Sequence, residues 1–469
     1  MHDPIDIAFG LAVLAAALMA AGHAVIYKRD SRSASIWVLV IMALPAAGPV
    51  LYLLMGINRV QRRAVRLRRA IVRHRAAPPS VAVQPGGHLA PLARLVGQVV
   101  KRPLLTGNSI EVLVDGAAAY PAMLQAIDSA GSSIALASYI FNGDGIGEQF
   151  VAALARAAKR GVAVRVLVDD VDARFSWSSA CKPLRRAGIP VGVFNPPIVP
   201  ARLNHFNLRN HRKILVVDGT LGFTGGMNID KRYWRPEAPA EAFRDLHFRL
   251  RGPVVAQLAE VFADDWQFST DEALRGAPWF VPLEVAGPCI ARIIEAGPDE
   301  GLESLRWAIV GGLDAAQRSV RVLTPYFIPD SALITALNAA ALRGIEVDIV
   351  LPATSDLPHV HWAAFGQLWQ VLDHGCRVWT SSGPFDHSKL MVVDGAWTLL
   401  GSANWDARSL RLNFEFDVEC YSTDLGGRLE RRAAARRVRA RQLTLADVDA
   451  RPLPVKLRDG VARLFAPYL

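Results

Sequence analysis

The stretch HRKILVVDGTLGFTGGMN at 211–228 returns later in the chain as HSKLMVVDGAWTLLGSAN at 387–404. Each copy begins with a histidine, carries a lysine two residues on and an aspartate seven residues on, and ends in an asparagine. One such triplet arises readily by chance. Two triplets at a constant offset of 176 residues (387 minus 211) indicate an internal duplication.

The duplication extends beyond these motifs. The other matching segments are 132–141 with 318–329, 157–170 with 340–353, and 187–194 with 374–381. Apolar runs such as VAVRVLV and IEVDIVL each follow an Ala-rich helical stretch, which is typical of α/β units with buried strands. We therefore expect an α/β fold of two similar halves that pack together, so that a site formed between them would have pseudo-twofold character.

Each motif is predicted to present its histidine and lysine on one face. Residues i and i+2 of a strand point to the same side, so His211 lies beside Lys213 and His387 beside Lys389. Asp-Gly between two apolar runs predicts a two-residue turn at 218–219 and at 394–395. That register brings a small residue and an asparagine to each cluster: Gly226 and Asn228 in the first half, Ser402 and Asn404 in the second.

Four acidic residues accompany the motifs. Asp218 and Asp394 lie roughly 23 Å along an extended strand from their histidines, so we expect them to be structural turn residues. Asp245 and Glu415 follow the two motifs at corresponding positions. They are the candidates for the acceptor that fixes the tautomer of each histidine. Ordinary surface ion pairs are the alternative for these two carboxylates.

This set of side chains suits displacement at phosphorus by a covalent route. One histidine attacks, and the other protonates the leaving alcohol and then deprotonates the incoming one. The two lysines and the two asparagine amides are expected to hold the phosphoryl oxygens. The sequence offers no obvious carboxylate-rich ligand set, so we expect neither a metal nor a cofactor.

Composition and charge narrow the class of partner. The chain has 469 residues, of which 51% are hydrophobic and 20% charged, and this excludes a disordered protein. The net charge is +10, and eight arginines fall within residues 59–75, which leaves +2 for everything else. A protein that binds nucleic acid usually spreads its positive charge over the folded domain. We therefore expect a lipid partner and no nucleic acid.

Two uncharged stretches, 7–27 and 34–56, precede the arginine run. Each is long enough to cross about 30 Å of hydrocarbon, and the acidic leader MHDPID argues against a cleaved signal peptide. We expect a two-helix transmembrane hairpin, although Pro45 and Pro49 leave a re-entrant second segment open. The larger basic count follows the second segment, which predicts a cytoplasmic body and arginines that lie against anionic lipids.

The paired motifs resemble the HKD motifs of the phospholipase D superfamily, and more narrowly the chain resembles bacterial cardiolipin synthases. The resemblance rests on the strings RNHRKILVVDG, FTGGMNI, DHSKLMVVDG and LLGSANWDARSLRLNFE, together with ALPAAGPVLYLLMG and the ending LFAPYL. It implies a mixed sheet flanked by helices in each half, and a place in the bacterial inner membrane. It also implies transfer of a phosphatidyl group from one phosphatidylglycerol to another through a phosphohistidine, with His211 as nucleophile and His387 as acid and base.

The expected organisation has five segments. These are an anchor at 1–58, a basic segment and linker at 59–104, a first half at 105–270, a linker at 271–300 and a second half at 301–469.

Several alternatives stay open on the sequence. A phospholipase D or a nuclease of the same fold uses the same motifs, because water and a lipid alcohol reach the same intermediate. Asp386 and Ser388 beside the second histidine, with Trp405 after Asn404, leave open another acceptor such as phosphatidylethanolamine. A catalytically silent membrane scaffold is the third reading, and the oligomeric state is not predicted.

Overall fold

The chain forms two compact units, which cover residues 1–64 and 65–469. The computed structural model describes residues 4–28, 30–56, 85–100, 102–195, 208–298 and 301–466. The arginine run at 59–75, which we predicted to lie against lipid headgroups, falls outside the described residues.

The N-terminal unit contains one long helix and a second, interrupted one. Its elements are α1 (Pro4–Tyr27), α2 (Ser31–Ala43), α3 (Ala47–Leu51) and a π-helical turn (Tyr52–Gly56). Within α1, a 22-residue stretch of mean hydropathy 2.1 is, among the described helices, the only one long and apolar enough to cross a membrane. The second predicted span, 34–56, is not one continuous helix. Leu44 precedes Pro45 and is displaced from the helical region, with φ −129° and ψ 71°.

The two arms of this unit contact each other through a small cluster. Ala17 and Ala24 of α1 are buried together with Ile41 of α2 and with Tyr52. Nδ1 of His23 lies 2.8 Å from the hydroxyl of Tyr52. The first predicted helix therefore has the expected form, while the second is a helix with a break.

The second unit is built on one mixed sheet of fifteen strands. The first half contributes β1 (Leu105–Val114), β2 (Ser133–Ser138), β3 (Ala163–Asp169), β4 (Val191–Phe194), β5 (Ile214–Val217), β6 (Leu221–Gly225) and β7 (Leu246–Arg251). The second half contributes β8 (Cys289–Ala296), β9 (Ser319–Leu323), β10 (Glu346–Pro352), β11 (Arg377–Ser381), β12 (Leu390–Val393), β13 (Trp397–Gly401), β14 (Glu415–Tyr421) and β15 (Ala440–Leu443).

The strand order confirms the duplication. From one edge to the other it runs β15-β11-β10-β9-β12-β13-β14-β8-β1-β7-β6-β5-β2-β3-β4. Apart from β15, each half has the same internal order, and the two orders run in opposite directions from the centre. The halves meet where β1 pairs antiparallel with β8, with Leu105 opposite Ala291 and Asn108 opposite Cys289.

Parallel strands form the outer part of each half and explain the continuous apolar runs in the sequence. β3 lies between β2 and β4, and β10 lies between β9 and β11, all in parallel. Every residue of β2 is buried. Strands covered on both faces are apolar throughout rather than alternating, so the reading of buried strands holds.

Helices follow the strands in both halves. Ahead of and within the first half these are α4 (Ala90–Val100), α5 (Asp115–Asp128), α6 (Ile146–Lys159), α7 (Asp170–Phe175), α8 (Cys181–Arg186) and α9 (Val254–Thr270). In the second half they are α10 (Ser304–Ala315), α11 (Ser331–Leu342), α12 (Pro358–Phe365), α13 (Trp369–Leu372), α14 (Ala407–Arg411), α15 (Thr423–Val438), α16 (Leu445–Asp449) and α17 (Leu453–Leu464). Short 3-10 turns occur at Gly87–Leu89, Lys231–Tyr233 and Pro239–Glu241.

Two stretches that composition marks as linkers contain regular structure. Helix α4 lies within 59–104, and its Leu92 and Val96 are buried in the core of the second half. Strand β8 lies within 271–300 and pairs with both β1 and β14 at the centre of the sheet. These apolar positions are buried by contacts with segments distant in sequence, which local composition does not report.

The Asp-Gly turns are one residue longer than predicted. The amide of Thr220 donates to the carbonyl of Val217, but the ladder resumes with Val217 opposite Leu221, which leaves three residues in the loop. The second motif repeats this, with Val393 opposite Trp397. The predicted register is therefore wrong by one residue. The histidines and lysines also precede strands β5 and β12 rather than lying within them.

Candidate active site

The segment ahead of each motif pairs with the other half of the chain. The backbone amide of His211 donates to the carbonyl of Phe414 at 2.9 Å. The backbone amide of Phe414 in turn donates to the carbonyl of the residue two positions before His211, at 2.7 Å. The second motif pairs with the first half in the same way. The backbone amide of His387 donates to the carbonyl of Arg244 at 2.7 Å, and the backbone amide of Arg244 donates to the carbonyl of the residue two positions before His387, at 2.9 Å. Both motifs are thereby held at the boundary between the halves.

His211 contacts a carboxylate from the second half. Its Nδ1 lies 2.9 Å from Oε2 of Glu415, the first residue of β14. The buried Glu415 carboxylate also accepts from the hydroxyl of Ser402 at 2.7 Å and from the side-chain amide of Asn413 at 3.2 Å. These contacts fix the ring of His211 through Nδ1, which leaves Nε2 as the nitrogen that can react.

His387 contacts a carboxylate from the first half. Its Nδ1 lies 2.9 Å from Oδ2 of Asp245 and 3.0 Å from the hydroxyl of Tyr233. Gly226 abuts this carboxylate, because a Cβ at position 226 would lie 2.5 Å from Oδ2 of Asp245. Only glycine leaves room there, whereas its counterpart Ser402 donates to the carboxylate of Glu415. The sequence predicts these two carboxylates as the partners of the histidines. Each carboxylate, however, contacts the histidine of the other half and not the histidine of its own half.

The two lysines are folded back along their own motifs. Nζ of Lys213 donates to the carbonyl of His211 at 2.7 Å, and Nζ of Lys389 donates to the carbonyl of His387 at 2.6 Å. Lys213 also lies over the ring of Tyr139, with Nζ 5.3 Å from the ring centroid. Both ammonium groups are buried beside the histidines, which is a suitable place to bind an anion.

Burial dominates the electrostatics of the site. It lowers the pKa of His211 to about 4, and that of His387 well below its usual value, so both rings are neutral near pH 7. It also lowers the pKa of Lys213 to about 7 and of Lys389 to about 8. Each lysine therefore changes charge close to neutral pH, and an anionic ligand favours its charged form.

The pKa values of the two carboxyl groups shift in opposite directions. Burial raises the pKa of Asp245 well above its usual range. Burial also opposes ionisation of Glu415, but the nearby His211 and Lys213 and the hydroxyl of Ser402 outweigh it, so its net pKa is lowered. An ionised Glu415 beside His211 favours positive charge on that ring.

The motif aspartates lie at the far ends of strands β5 and β12. The carboxylate of Asp218 accepts from the backbone amides of Gly131, Ser132 and Ser133 at 2.7 to 3.2 Å. Asp394 accepts from the amides of residues 317–319 at 2.8 to 2.9 Å, and Nε2 of His88 lies 2.9 Å from it. These contacts place both aspartates in backbone capping rather than beside the histidines.

The two asparagines contact their own halves. Oδ1 of Asn228 accepts from the amide of Ile140 at 3.2 Å. Nδ2 of Asn404 donates to the hydroxyl of Ser409 at 3.3 Å, while its Oδ1 is buried without a hydrogen-bond partner among the described residues. The predicted cluster of histidine, lysine and asparagine is therefore not held together by hydrogen bonds between these side chains.

Three tyrosines at the site are absent from the sequence candidates. The ring centroid of Tyr139 lies 4.9 Å from that of His211, and Tyr326 lies 6.2 Å from His387, as centroids. Tyr233 contacts His387 through its hydroxyl, as described above. The available signal was the pair of strings SYIF and TPYF after β2 and β9. Nothing local to Tyr233 marks it.

Arg212 is another contributor that spacing does not reveal. It follows the motif histidine directly in the sequence and is fully buried. Its Nη1 lies 2.8 Å from Oδ1 of Asp265. Its Nε donates to the backbone carbonyl of Glu415 at 3.1 Å. The guanidinium thus positions the residue that contacts His211. The second motif has Ser388 at the same place.

Across the residues that the structure describes, no group of three or more His, Cys, Asp or Glu side chains is placed to hold a metal ion. The chemistry available is that of two imidazoles, two ammonium groups and two carboxylates.

Comparisons with known proteins find two families that match parts of the chain. Residues 123–266 and 309–436 match the family described as cardiolipin synthase, PLD-like domain, and residues 15–56 match the phospholipase D-nuclease N-terminal family. The chain is 32% identical over 442 residues to a cardiolipin synthase of Geobacillus kaustophilus (strain HTA426), an alignment that covers 92% of this chain and 88% of that one.

Two further comparisons extend the pattern. The chain is 32% identical over 457 residues to the major cardiolipin synthase of Bacillus subtilis (strain 168), which covers 94% of this chain and 95% of the relative. The crystal structure of a phosphatidylserine synthase from Haemophilus influenzae Rd KW20 matches with a TM-score of 0.64 over 81% of this chain and all of that chain. At 16% identity, that likeness shows a shared fold.

Proposed function

The chain belongs to the family of cardiolipin synthases with phospholipase D-like domains, and we propose that its own reaction joins two phosphatidylglycerol molecules. A phosphatidyl group passes from one molecule to the terminal hydroxyl of the other, which yields cardiolipin and releases glycerol. The observation that carries this proposal is the crossed pair of histidine and carboxylate contacts between the halves, at 2.9 Å each.

In the first step, Nε2 of His211 attacks the phosphorus of the donor lipid. The new P–N bond forms as the P–O bond to glycerol breaks. His387 gives the proton on Nε2 to the departing oxygen and takes a proton at Nδ1 from Asp245, whose raised pKa favours a protonated carboxyl group. The ionised Glu415 favours the positive charge that develops on His211. Lys213 and Lys389 offset negative charge on the phosphoryl oxygens.

In the second step, His387 acts as a base. It removes the proton from the terminal hydroxyl of the second phosphatidylglycerol, whose oxygen attacks phosphorus while the P–N bond to His211 breaks. Cardiolipin leaves, Asp245 takes back the proton from Nδ1 of His387, and both histidines regain their starting protonation states. The assignment of His211 as nucleophile is supported by the lowered pKa of its partner Glu415 compared with the raised pKa of Asp245.

The N-terminal unit favours a membrane location. Helix α1 has the length and composition to cross a bilayer. We propose that both ends of the anchor face the cytoplasm, because eight arginines follow the second apolar segment while three basic residues, at 28, 29 and 32, lie between the two segments. A cysteine-reactive probe added outside intact cells is expected to label a cysteine placed at positions 28–32 but none placed within 59–75.

The proposed reaction is tested by incubating the detergent-purified protein with phosphatidylglycerol alone in the presence of a chelator. Lipid mass spectrometry is expected to find cardiolipin and an equal amount of glycerol. Phosphatidic acid would show a hydrolase instead, and an unchanged lipid would contradict both readings.

Two variants control this experiment. His211→Ala is expected to abolish turnover without loss of the fold. His374→Ala removes an exposed loop histidine and is expected to leave turnover unchanged. Equal rates in the two variants would contradict the assignment of His211.

A further inference from the structure

We propose that helix α17 (Leu453–Leu464) lies on the lipid surface and holds the candidate active site close to it. Five large apolar side chains along one side of this helix and its end are 56 to 72% exposed: Leu453, Leu457, Val461, Leu464 and Phe465. Their spacing of about four residues puts them on one continuous stripe of the helix. We call this set the α17 stripe.

The opposite side of α17 packs firmly on the body. Asp459 is 1% exposed and accepts from Arg458 at 2.8 Å and from Arg451 at 2.5 Å. Its backbone carbonyl lies against Gly366, where a Cβ would come within 2.7 Å. The stripe is therefore directed outward by well-defined contacts on its other side, and exposed apolar surface of this kind marks an interaction site.

The charges around the α17 stripe favour an anionic surface. Lys456 and Arg458 are exposed beside it, while Asp459, the one acidic residue of the helix, is buried and paired. An apolar stripe flanked by cations suits the boundary between acyl chains and anionic headgroups. A second copy of the same helix would instead bring these cations together.

A short chain of contacts joins α17 to the candidate active site. Ala462 packs on a buried cluster that includes Ile328 and Val360, and Tyr326 packs on the same cluster. The ring of Tyr326 also contacts that of His387, with centroids 6.2 Å apart. A bilayer on the stripe would therefore lie near the site that, in the proposed function on which this inference rests, receives a lipid.

Fluorescence quenching tests the contact directly. The four native cysteines are all buried, so Leu457→Cys offers a selective place for an environment-sensitive label on the full-length chain. The protein is reconstituted in phosphatidylglycerol/phosphatidylcholine vesicles with brominated acyl chains. We expect strong quenching at 457 and little at the control Leu342→Cys, which is 70% exposed on helix α11. Equal quenching at the two positions overturns the proposal.

Activity supplies a second test that separates this proposal from the proposed function. The triple variant Leu453→Asn, Leu457→Asn, Leu464→Asn changes only exposed side chains, so its melting temperature should match the wild type. We expect turnover of vesicle phosphatidylglycerol to fall about tenfold or more, with turnover of monomeric short-chain phosphatidylglycerol within about twofold. The matched control is Leu342→Asn.

Equal losses on both substrates, or no loss on either, overturn the interfacial role of α17. A wild-type protein that is inactive on both substrates would contradict the proposed reaction instead. The quenching measurement needs no turnover, and it still decides whether α17 contacts lipid.

Discussion

Each of the two site histidines contacts a carboxylate from the other half of the chain. A carboxylate at Nδ1 holds the imidazole in one tautomer and stabilises positive charge on the ring. The contact of Glu415 with His211 spans 204 positions of sequence. The residue types at the site could be predicted from the paired motifs. The crossing could not, because it depends on how the two halves pack.

Glu415→Gln tests the role of this contact. The amide keeps the shape of the side chain but removes the charge that stabilises a positive His211, so we expect turnover to fall about a hundredfold or more. The melting temperature should change little. The control is Glu284→Gln, at an exposed position. Turnover within about twofold of the wild type in Glu415→Gln would contradict this role.

The lysines predict an alkaline limit to activity. The pKa of Lys213 is lowered to about 7 and that of Lys389 to about 8, so both lose positive charge as the pH rises through this range. Binding of an anionic phosphodiester weakens with that loss, and kcat/KM should decline above about pH 7. In Lys213→Arg the charge persists, so the decline should move to higher pH. An unchanged profile in that variant would exclude Lys213 as the titrating group.

The Asp-Gly loops connect β5 to β6 and β12 to β13. Asp218 and Asp394 both adopt positive φ, 52° and 54°, and their carboxylates accept from backbone amides at the start of β2 and β9. The sequence predicts the place of each turn, since Asp-Gly favours positive φ at two successive residues. It does not predict the extra loop residue, because the resumption of the ladder depends on neighbouring strands.

Asp218→Asn is expected to lower the free energy of unfolding by about 1–3 kcal/mol with activity retained, because backbone amides lose a charged acceptor. Hydrogen bonds from the backbone outweigh burial and lower the pKa of Asp218. The contribution of Asp218 to the free energy of unfolding is therefore present above the pKa of about 3.9 in the unfolded chain, and it is lost as the pH falls through the lower pKa of the folded state. Unfolding of both proteins at pH 7 and near pH 3 measures this. Asp314→Asn, at a side chain 85% exposed, is the control. A folded but inactive Asp218→Asn would contradict the structural role.

At the scale of the whole molecule, the second unit is a duplication in which two α/β halves share one sheet. The order of the repeated segments predicts the two α/β halves, because each buried strand and its helix leave a local pattern. It does not predict that one continuous sheet joins them. Strand β8 and helix α4 are not predicted, because the strands and core residues that they pack against lie in distant parts of the chain. The anchor is predicted in part: α1 has the expected length, and Pro45 interrupts the segment that follows it.

Crossed contacts within one chain predict that defective proteins do not complement each other. His211→Ala and His387→Ala chains, reconstituted in the same vesicles, should together be no more active than the two measured apart. Wild type mixed equally with His211→Ala should give about half the rate of wild type alone at the same total protein. Recovery of activity in the mixture of variants would mean that halves from two chains form one site.

The most direct measurement is to locate the covalent intermediate. His387→Ala is incubated with a phosphatidyl ester of p-nitrophenol, whose leaving group needs no proton from a general acid. We predict one equivalent of released p-nitrophenol and a phosphatidyl adduct, located by peptide mass spectrometry, on His211. Release of p-nitrophenol with no adduct on His211 would contradict transfer through a phosphohistidine at that residue.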